Sequence, residues 1–214
     1  MKYSFAIGIP TLNRADLLNP TLDKYFKDFH DVDIFIVDNG GQNIRSRSSN
    51  FYIYTPGENY GVAKSWNYLC GKIFENHDYA LILNDDIYLG LDQDLLNDFA
   101  KGQCVDLVKC ENQFHLSSFI LSKQCFNNFQ FDESFYPAYF EDLDFMRRLR
   151  LSNKQVMESA FLNPEIFINS ATISKDGGNP EINKNFKNLA QLYINKWGGP
   201  PGLEKFNKPF NHDQ

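Results

Sequence analysis

Leu81-Ile82-Leu83-Asn84-Asp85-Asp86-Ile87 is a short apolar run that breaks directly into two adjacent carboxylates. Such a run reads as a buried strand, and charges at its end sit at the rim of a sheet, where open α/β proteins bind ligands. Two carboxylates held together there repel unless a cation lies between them, and hard oxygen ligands suit Mg²⁺ or Mn²⁺ better than zinc. Taken alone, the pair also fits a solvated turn, since Asn and Asp are ordinary turn residues.

The flanking chain bears on which of the two it is. Upstream, Tyr3 to Ile9 reads as a strand closed by Pro10, and Leu17, Leu18, Leu22, Tyr25 and Phe26 recur at helical spacing. Asp33 to Val37 is a second strand, ending at Asp38-Asn39-Gly40-Gly41, and Phe51 to Tyr54 is a third. Val62, Trp66, Leu69 and Ile73 then mark one face of a helix that leads into the Asp85-Asp86 strand. This alternation predicts parallel βα units whose strands end in polar residues along one sheet edge.

Downstream, Val105 to Cys110 and Leu116 to Leu121 read as strands, and Ser122 to Phe131 as an irregular, aromatic-rich passage. Glu141-Asp142-Leu143-Asp144 followed by Arg147, Arg148 and Arg150 matches the helix dipole and predicts a helix over Asp142 to Leu151. Phe186, Leu189, Ala190, Tyr193, Ile194 and Trp197 share one face of an amphipathic helix stopped by Gly198-Gly199-Pro200-Pro201, with a loop beyond it.

A chain of 214 residues is long for a minimal domain and short for two, so a single domain over 1–214 is expected. An apolar share of 43% excludes a largely disordered chain, and a formal charge of −6 with no basic face argues against nucleic-acid binding. The N-terminus resembles no signal peptide and no segment is long enough to span a membrane. Cys70, Cys104, Cys110 and Cys125 form no CxxC pair, so reduced thiols and a cytoplasmic location are expected.

Common enzyme motifs are missing: GxGxxG after the first strand, GxxxxGK[ST], HExxH and GxSxG do not occur. His30, His77, His115 and His212 show no metal-ligand spacing. What remains is a carboxylate site in three parts: Asp38 at one strand end, Asp85-Asp86 at another, and Glu141-Asp142-x-Asp144 at a helix start. Separately, Asp38-Asn39-Gly40 fits a turn and the 141–144 cluster fits a helix cap. Together they could divide nucleotide recognition, metal binding and proton abstraction.

The order of these blocks carries a resemblance. Ile9-Pro10-Thr11-Leu12-Asn13-Arg14 resembles the strand-1 signature of GT-A-fold glycosyltransferases of the family 2 type, and Ile36-Val37-Asp38-Asn39-Gly40 their second-strand motif. Glu58 to Asn67 is similar to the N-x-G-x-[AS]-x-[AG]-x-N segment, with Lys64 and Ser65 as substitutions within it, and Leu83-Asn84-Asp85-Asp86 takes the place of the DxD motif. Phe131-Asp132-Glu133-Ser134-Phe135, Tyr139 to Asp144 with Arg147-Arg148, and Lys196-Trp197-Gly198 resemble the acceptor-side blocks, especially of rhamnosyltransferase-like members. The compactness and the Asn- and Phe-rich composition also resemble virus-encoded members acting on capsid glycans, which would place the protein in a host cytoplasm.

The resemblance implies a GT-A α/β fold with a mixed, mainly parallel central sheet, a nucleotide-sugar half to about residue 100 and an acceptor half after it. It implies a metal-dependent inverting transferase that takes a sugar from a nucleotide-diphosphate sugar, with a UDP-sugar favoured, to a hydroxyl of a glycan or glycoconjugate. Asp86 would hold Mn²⁺ or Mg²⁺, and Asp142 would be the base, with Glu141 orienting the acceptor or serving as base instead. Pro10, Thr11, Asn13, Arg14, Asp38, Asn39, Asn59, Gly61, Lys64, Asn84 and Asp85 would line the donor site, while Trp66 reads as core. Arg14 could instead pair with Asp16, and Lys64 could be a solvated helix residue. Two departures stand out: Asn84 replaces the first DxD carboxylate, and the late histidine that completes the metal shell in many relatives is replaced in Phe167 to Thr172 by Asn169 or Ser170. A sugar nucleotidyltransferase and a non-catalytic nucleotide-sugar-binding module are the alternatives.

Overall fold

Strand β1 (Phe5–Thr11) turns Phe5, Ile7 and Ile9 to one face of a sheet and Ala6 to the other, and both faces are buried. In the computed structural model, residues 4–29, 31–45, 49–90, 105–113, 115–164, 166–167 and 183–211 are described. Contrary to expectation, β1 runs on through Pro10. Ile7 donates to Asp33 O and Thr11 O accepts from Asn39, so the odd residues bond toward β2 (Ile34–Asp38). Pro10, out of phase with them, points its nitrogen toward β4 (Tyr79–Leu83), where pairing has already ended at Gly8–Ile82. No ladder bond is lost.

The sheet has seven strands in the order β3-β2-β1-β4-β7-β6-β8, with β3 at Phe51–Tyr54, β6 at Leu107–Cys110, β7 at Ser118–Ser122 and β8 at Val156–Ser159. β1 to β4 are parallel, β7 runs against β4 and β6, and β8 is parallel to β6. This is the mixed, mainly parallel sheet expected, and it runs without a break through both halves of the chain. A small second sheet pairs β5 (Ile87–Tyr88) with β9 (Ile166–Phe167).

Helix α1 (Ala15–Asp28) covers one face, burying Leu18, Leu22 and Tyr25 against Ile7, Ile34 and Leu81. Helices α2 (Gly61–Ile73) and α4 (Glu141–Leu151) cover the other, with Trp66, Leu69, Phe145 and Leu149 packed on Ala80, Ile82 and Phe119. The passage expected to be irregular after Ser122 holds a short helix, α3 (Lys123–Asn128), which buries Cys125 and Phe126. Its start is set by Ser122, whose hydroxyl accepts from Cys125 N, an N-cap bond without a hydrophobic period long enough to announce it. Helix α5 (Phe186–Trp197) ends at Gly198, as the sequence predicts.

Cys70, Cys110 and Cys125 are buried free thiols, while Cys104, His30 and His212 lie outside the described residues. Among the described residues no helix is long and apolar enough to cross a membrane.

Candidate functional site

Because β1, β2 and β4 are parallel, their C-terminal ends reach the same edge. The chain order reverses between β1 and β4: β2 and β3 lie on one side of β1 and the rest of the sheet on the other. Such a switch point splays the loops apart and leaves a crevice. Here it is a cavity of about 550 Å³.

One side of its wall includes Pro10, Thr11, Asn39, Asn59, Gly61, Asn84, Asp85 and Asp86. Asp85, though buried, accepts from Thr11 Oγ1 at 2.7 Å, and Thr11 Oγ1 accepts from Gln42 Nε2 at 2.9 Å. Gln42 in turn donates its main-chain N–H to Asp38 Oδ2 at 2.7 Å. One relay thus ties the ends of β2, β1 and β4 together. Burial pushes the Asp85 carboxyl up to about 7 despite the Thr11 donor.

The relay relocates several sequence-predicted residues. Asp38 does not line the cavity; its two oxygens accept from Gly40 N and Gln42 N, so it holds the loop after β2. Asn13 is exposed at φ 56° with its side chain against Gly40, where a Cβ would lie 2.1 Å from Asn13 Oδ1. Arg14 pairs with Asp16 through two bonds of 2.9 Å. Lys64 pairs with Glu58 at 3.2 Å and lies 3.9 Å above the Tyr60 ring. None of these last three lines the cavity. Gln42 gave no sequence signal, because its partners Thr11, Asp38 and Ala15 are brought to it by β1, β2 and the start of α1.

Gly61 opens α2 at φ +69°, and a Cβ there would lie 2.6 Å from Pro137 O, the atom that accepts from Val62 N. Residues 136–140 are thereby seated on the start of α2. The peptide Tyr136–Pro137 is cis, and Tyr139 and Phe140 both have positive φ, 86° and 71°. Two such non-glycine residues in succession are strained, a feature that clusters at functional sites. They deliver the first turn of α4, with Glu141 and Asp142, into the cavity.

Both acids are buried, at 5% and 9% exposure. Asp142 accepts from Leu116 N at 3.1 Å and Leu143 N at 2.7 Å, and Oε2 of Glu141 has no partner among the described residues. Burial raises both carboxyls, Glu141 well above the ordinary range. His115, read from sequence only as lacking metal spacing, lines the cavity and faces Asp142.

The third acid of that block turns away. Asp144 is fully buried, bound to Arg148 at 2.8 Å, Lys196 at 2.6 Å and the Trp197 indole at 3.0 Å, while Lys196 also holds Asp132. Asp132, Asp144, Arg148, Lys196 and Trp197 therefore form a brace between α4 and α5.

Among the described residues no group of three or more His, Cys, Asp or Glu gathers as a metal cage. Asp86, buried at the cavity wall, fits the other mode, in which Mg²⁺ or Mn²⁺ is held by one or two carboxylates and completed by substrate phosphates and water. The stretch containing Asn169 and Ser170 lies outside the described residues.

No protein-family model matches the chain, and no curated protein matches it in sequence. Solved structures do. The mannosyltransferase PcManGT from Pyrobaculum calidifontis, in complex with GDP-Man and Mn²⁺, superimposes with a TM-score of 0.59 at 12% identity over 82% of this chain and 59% of that one. Glucosyl-3-phosphoglycerate synthase from Mycobacterium tuberculosis, with Mn²⁺, UDP and phosphoglyceric acid, gives 0.56 at 13% identity over 73% and 68%. TarS of S. aureus gives 0.53 at 14% identity over 73% and 35%, so the chain spans little more than half of the first structure and about a third of the last. The seven-stranded mixed sheet, its flanking helices and these superpositions establish that the chain has the GT-A fold of nucleotide-diphospho-sugar transferases.

Proposed function

We propose that this protein is a metal-dependent inverting glycosyltransferase that moves a sugar from a nucleotide-diphosphate donor, UDP-linked in the favoured case, to a hydroxyl of a glycan or glycoconjugate. One observation carries the reading: in a GT-A fold, Asp85-Asp86 and Glu141-Asp142 stand in the wall of one cavity at the sheet's switch point. The fold neighbours bound to Mn²⁺ with GDP-Man or UDP support the donor class.

Four carboxylates and no described Lys or Arg line that cavity, so a diphosphate needs a cation to enter it. Asp86 would hold that ion, which when bound supplies positive charge to the departing diphosphate. Thr11 and Asp85 fix the donor-side wall, and Asn39, Asn59 and Asn84 offer uncharged hydrogen-bonding groups to the nucleotide and sugar. Asp142 takes the proton from the acceptor hydroxyl as its oxygen bonds to the anomeric carbon. The bond from that carbon to the diphosphate oxygen breaks with its electron pair on the leaving group, so a single displacement inverts the centre. The buried free thiols fit a cytoplasmic setting.

A thermal-shift panel of UDP, GDP, dTDP and CMP with and without Mn²⁺ tests the donor class, since a ligand of the native state raises its apparent stability. A shift that needs Mn²⁺ and is lost in Asp86→Ala is expected; no shift with any nucleotide refutes the proposal. A nucleotidyltransferase would carry a Gly- and Arg-rich loop after strand 1, whereas here Arg14 is bound to Asp16. A non-catalytic binding module would bind its ligand with no turnover and would tolerate Asp142→Asn.

A further inference from the structure

The acceptor side of the cavity is aromatic. Phe186 packs edge-on against Tyr139, with ring centroids 5.0 Å apart, and lies 5.4 Å from Phe140, and all three line the cavity with Pro137 and Ala138. Such a wall presents rigid flat faces at low entropic cost, suited to the apolar C–H face of a sugar ring.

The ionisable side chains of the wall are acidic apart from His115. Among the described residues, no Lys or Arg lines the cavity: Arg14 is paired with Asp16, Lys64 with Glu58, and Arg148 and Lys196 with Asp144, while Lys184 and Lys187 on either side of Phe186 are exposed and lie outside the lining. A phosphate or carboxylate on the acceptor would meet the Asp142 carboxylate with no Lys or Arg in the described wall to answer it, His115 being the basic side chain there.

The wall also holds two unanswered hydrogen-bonding groups. Oε2 of Glu141 and Nε1 of Trp66 are both buried, both without a partner among the described residues, and both belong to residues that line this cavity. Buried polar atoms left open in this way cost stability unless a ligand or water answers them. A ligand hydroxyl can donate to the Glu141 oxygen. Around Glu141 stand the Asp142 carboxyl, Tyr139 and, beside Asp142, His115. Two main-chain N–H groups favour the charge on Asp142, whereas burial beside Asp142 raises the Glu141 carboxyl well above the ordinary range.

Resting on the glycosyltransferase reading, we infer that the acceptor is an uncharged sugar or glycoside seated on the Tyr139–Phe140–Phe186 wall, and that Glu141 fixes one of its hydroxyls through the oxygen the fold leaves unpartnered. Glu141 is then a binding residue, and Asp142 alone takes the reacting proton.

The test uses the whole chain with Mn²⁺ and UDP-glucose, GDP-mannose or dTDP-rhamnose, scoring nucleotide release above donor hydrolysis with neutral methyl glycosides, sugar phosphates and uronic acids as acceptors. Neutral glycosides are expected to exceed the anionic acceptors by at least about tenfold in kcat/KM. Glu141→Ala should raise the acceptor KM about tenfold or more with donor KM little changed, and Glu141→Gln should restore it to within about threefold. If Glu141→Ala does not fold, Glu141→Gln against Asp142→Asn decides through kcat. Preference for an anionic acceptor, or a kcat in Glu141→Gln as low as in Asp142→Asn, overturns the inference. Nucleotide binding with donor hydrolysis but no transfer to any neutral glycoside overturns it while leaving the donor reading intact; no nucleotide binding at all overturns both.

Discussion

Removing the Asp144 carboxylate should unfold the brace between α4 and α5 without touching the cavity. Asp144 has no exposure and accepts from Arg148, Lys196 and the Trp197 indole, so Asp144→Ala leaves a buried Lys196 and an orphaned indole N–H. Breaking a buried charge pair costs about 3–5 kcal/mol, and the lower end applies because Lys196 keeps Asp132 and Arg148 keeps Gln130 O. For a chain of this size about 3 kcal/mol corresponds to a fall of roughly 6–12 °C in melting temperature. Asp144→Asn keeps the shape and the indole bond, and should lose about half as much. Urea and thermal denaturation followed by tryptophan fluorescence would measure both, alongside the Mn²⁺-dependent nucleotide shift of the folded variant. Unchanged melting with loss of nucleotide binding or turnover would refute the separation of Asp144 from Glu141 and Asp142.

Thr11→Val should strand both Gln42 Nε2 and the buried Asp85 carboxyl, costing about 1–3 kcal/mol by chemical denaturation and weakening Mn²⁺–nucleotide binding. Gly61→Ala must carry φ +69° and displace Pro137 O, so a loss of at least about 1–2 kcal/mol in stability is expected, together with weaker nucleotide binding as the 136–140 segment lifts from α2. Asp85, Glu141 and Asp142 keep their protons to higher pH when folded than unfolded, Asp85 to about 7. The folded state therefore binds more protons above the ordinary carboxylate range, and the melting temperature of metal-free protein should fall as pH rises from about 5 to about 7.5. Asp85→Asn should flatten that slope; a rising slope would contradict the burial argument. Ser122→Ala should cost about 1 kcal/mol through loss of the α3 cap, read as a lower urea midpoint with unaltered nucleotide shift.

Much of this was legible because burial on both sheet faces writes continuous apolar runs into strands such as Tyr79–Leu83 and a 3.6 period into α2 and α5. The placement of Asp85-Asp86 at the cavity followed from the strand ending there. α3 was not legible, being only six residues long and started by one serine hydroxyl. Nor was the strain at Tyr139 and Phe140, which no residue type announces, in a segment seated on Gly61 through Pro137.

Local periodicity and chain order by themselves determine a mixed α/β sheet with its polar strand ends along one edge, because hydrophobic burial is a property each segment carries. They do not sort its acids. Asp38, Asp85, Glu141, Asp142 and Asp144 are chemically similar in sequence, and only tertiary contacts separate them. Asp38 closes a loop, Asp144 holds a buried brace, and Glu141 and Asp142 enter the cavity with Asp85 and Asp86. A carboxylate's role depends on the donors and counter-charges within a few ångströms of it, and those come from residues up to 74 positions away, as between Thr11 and Asp85.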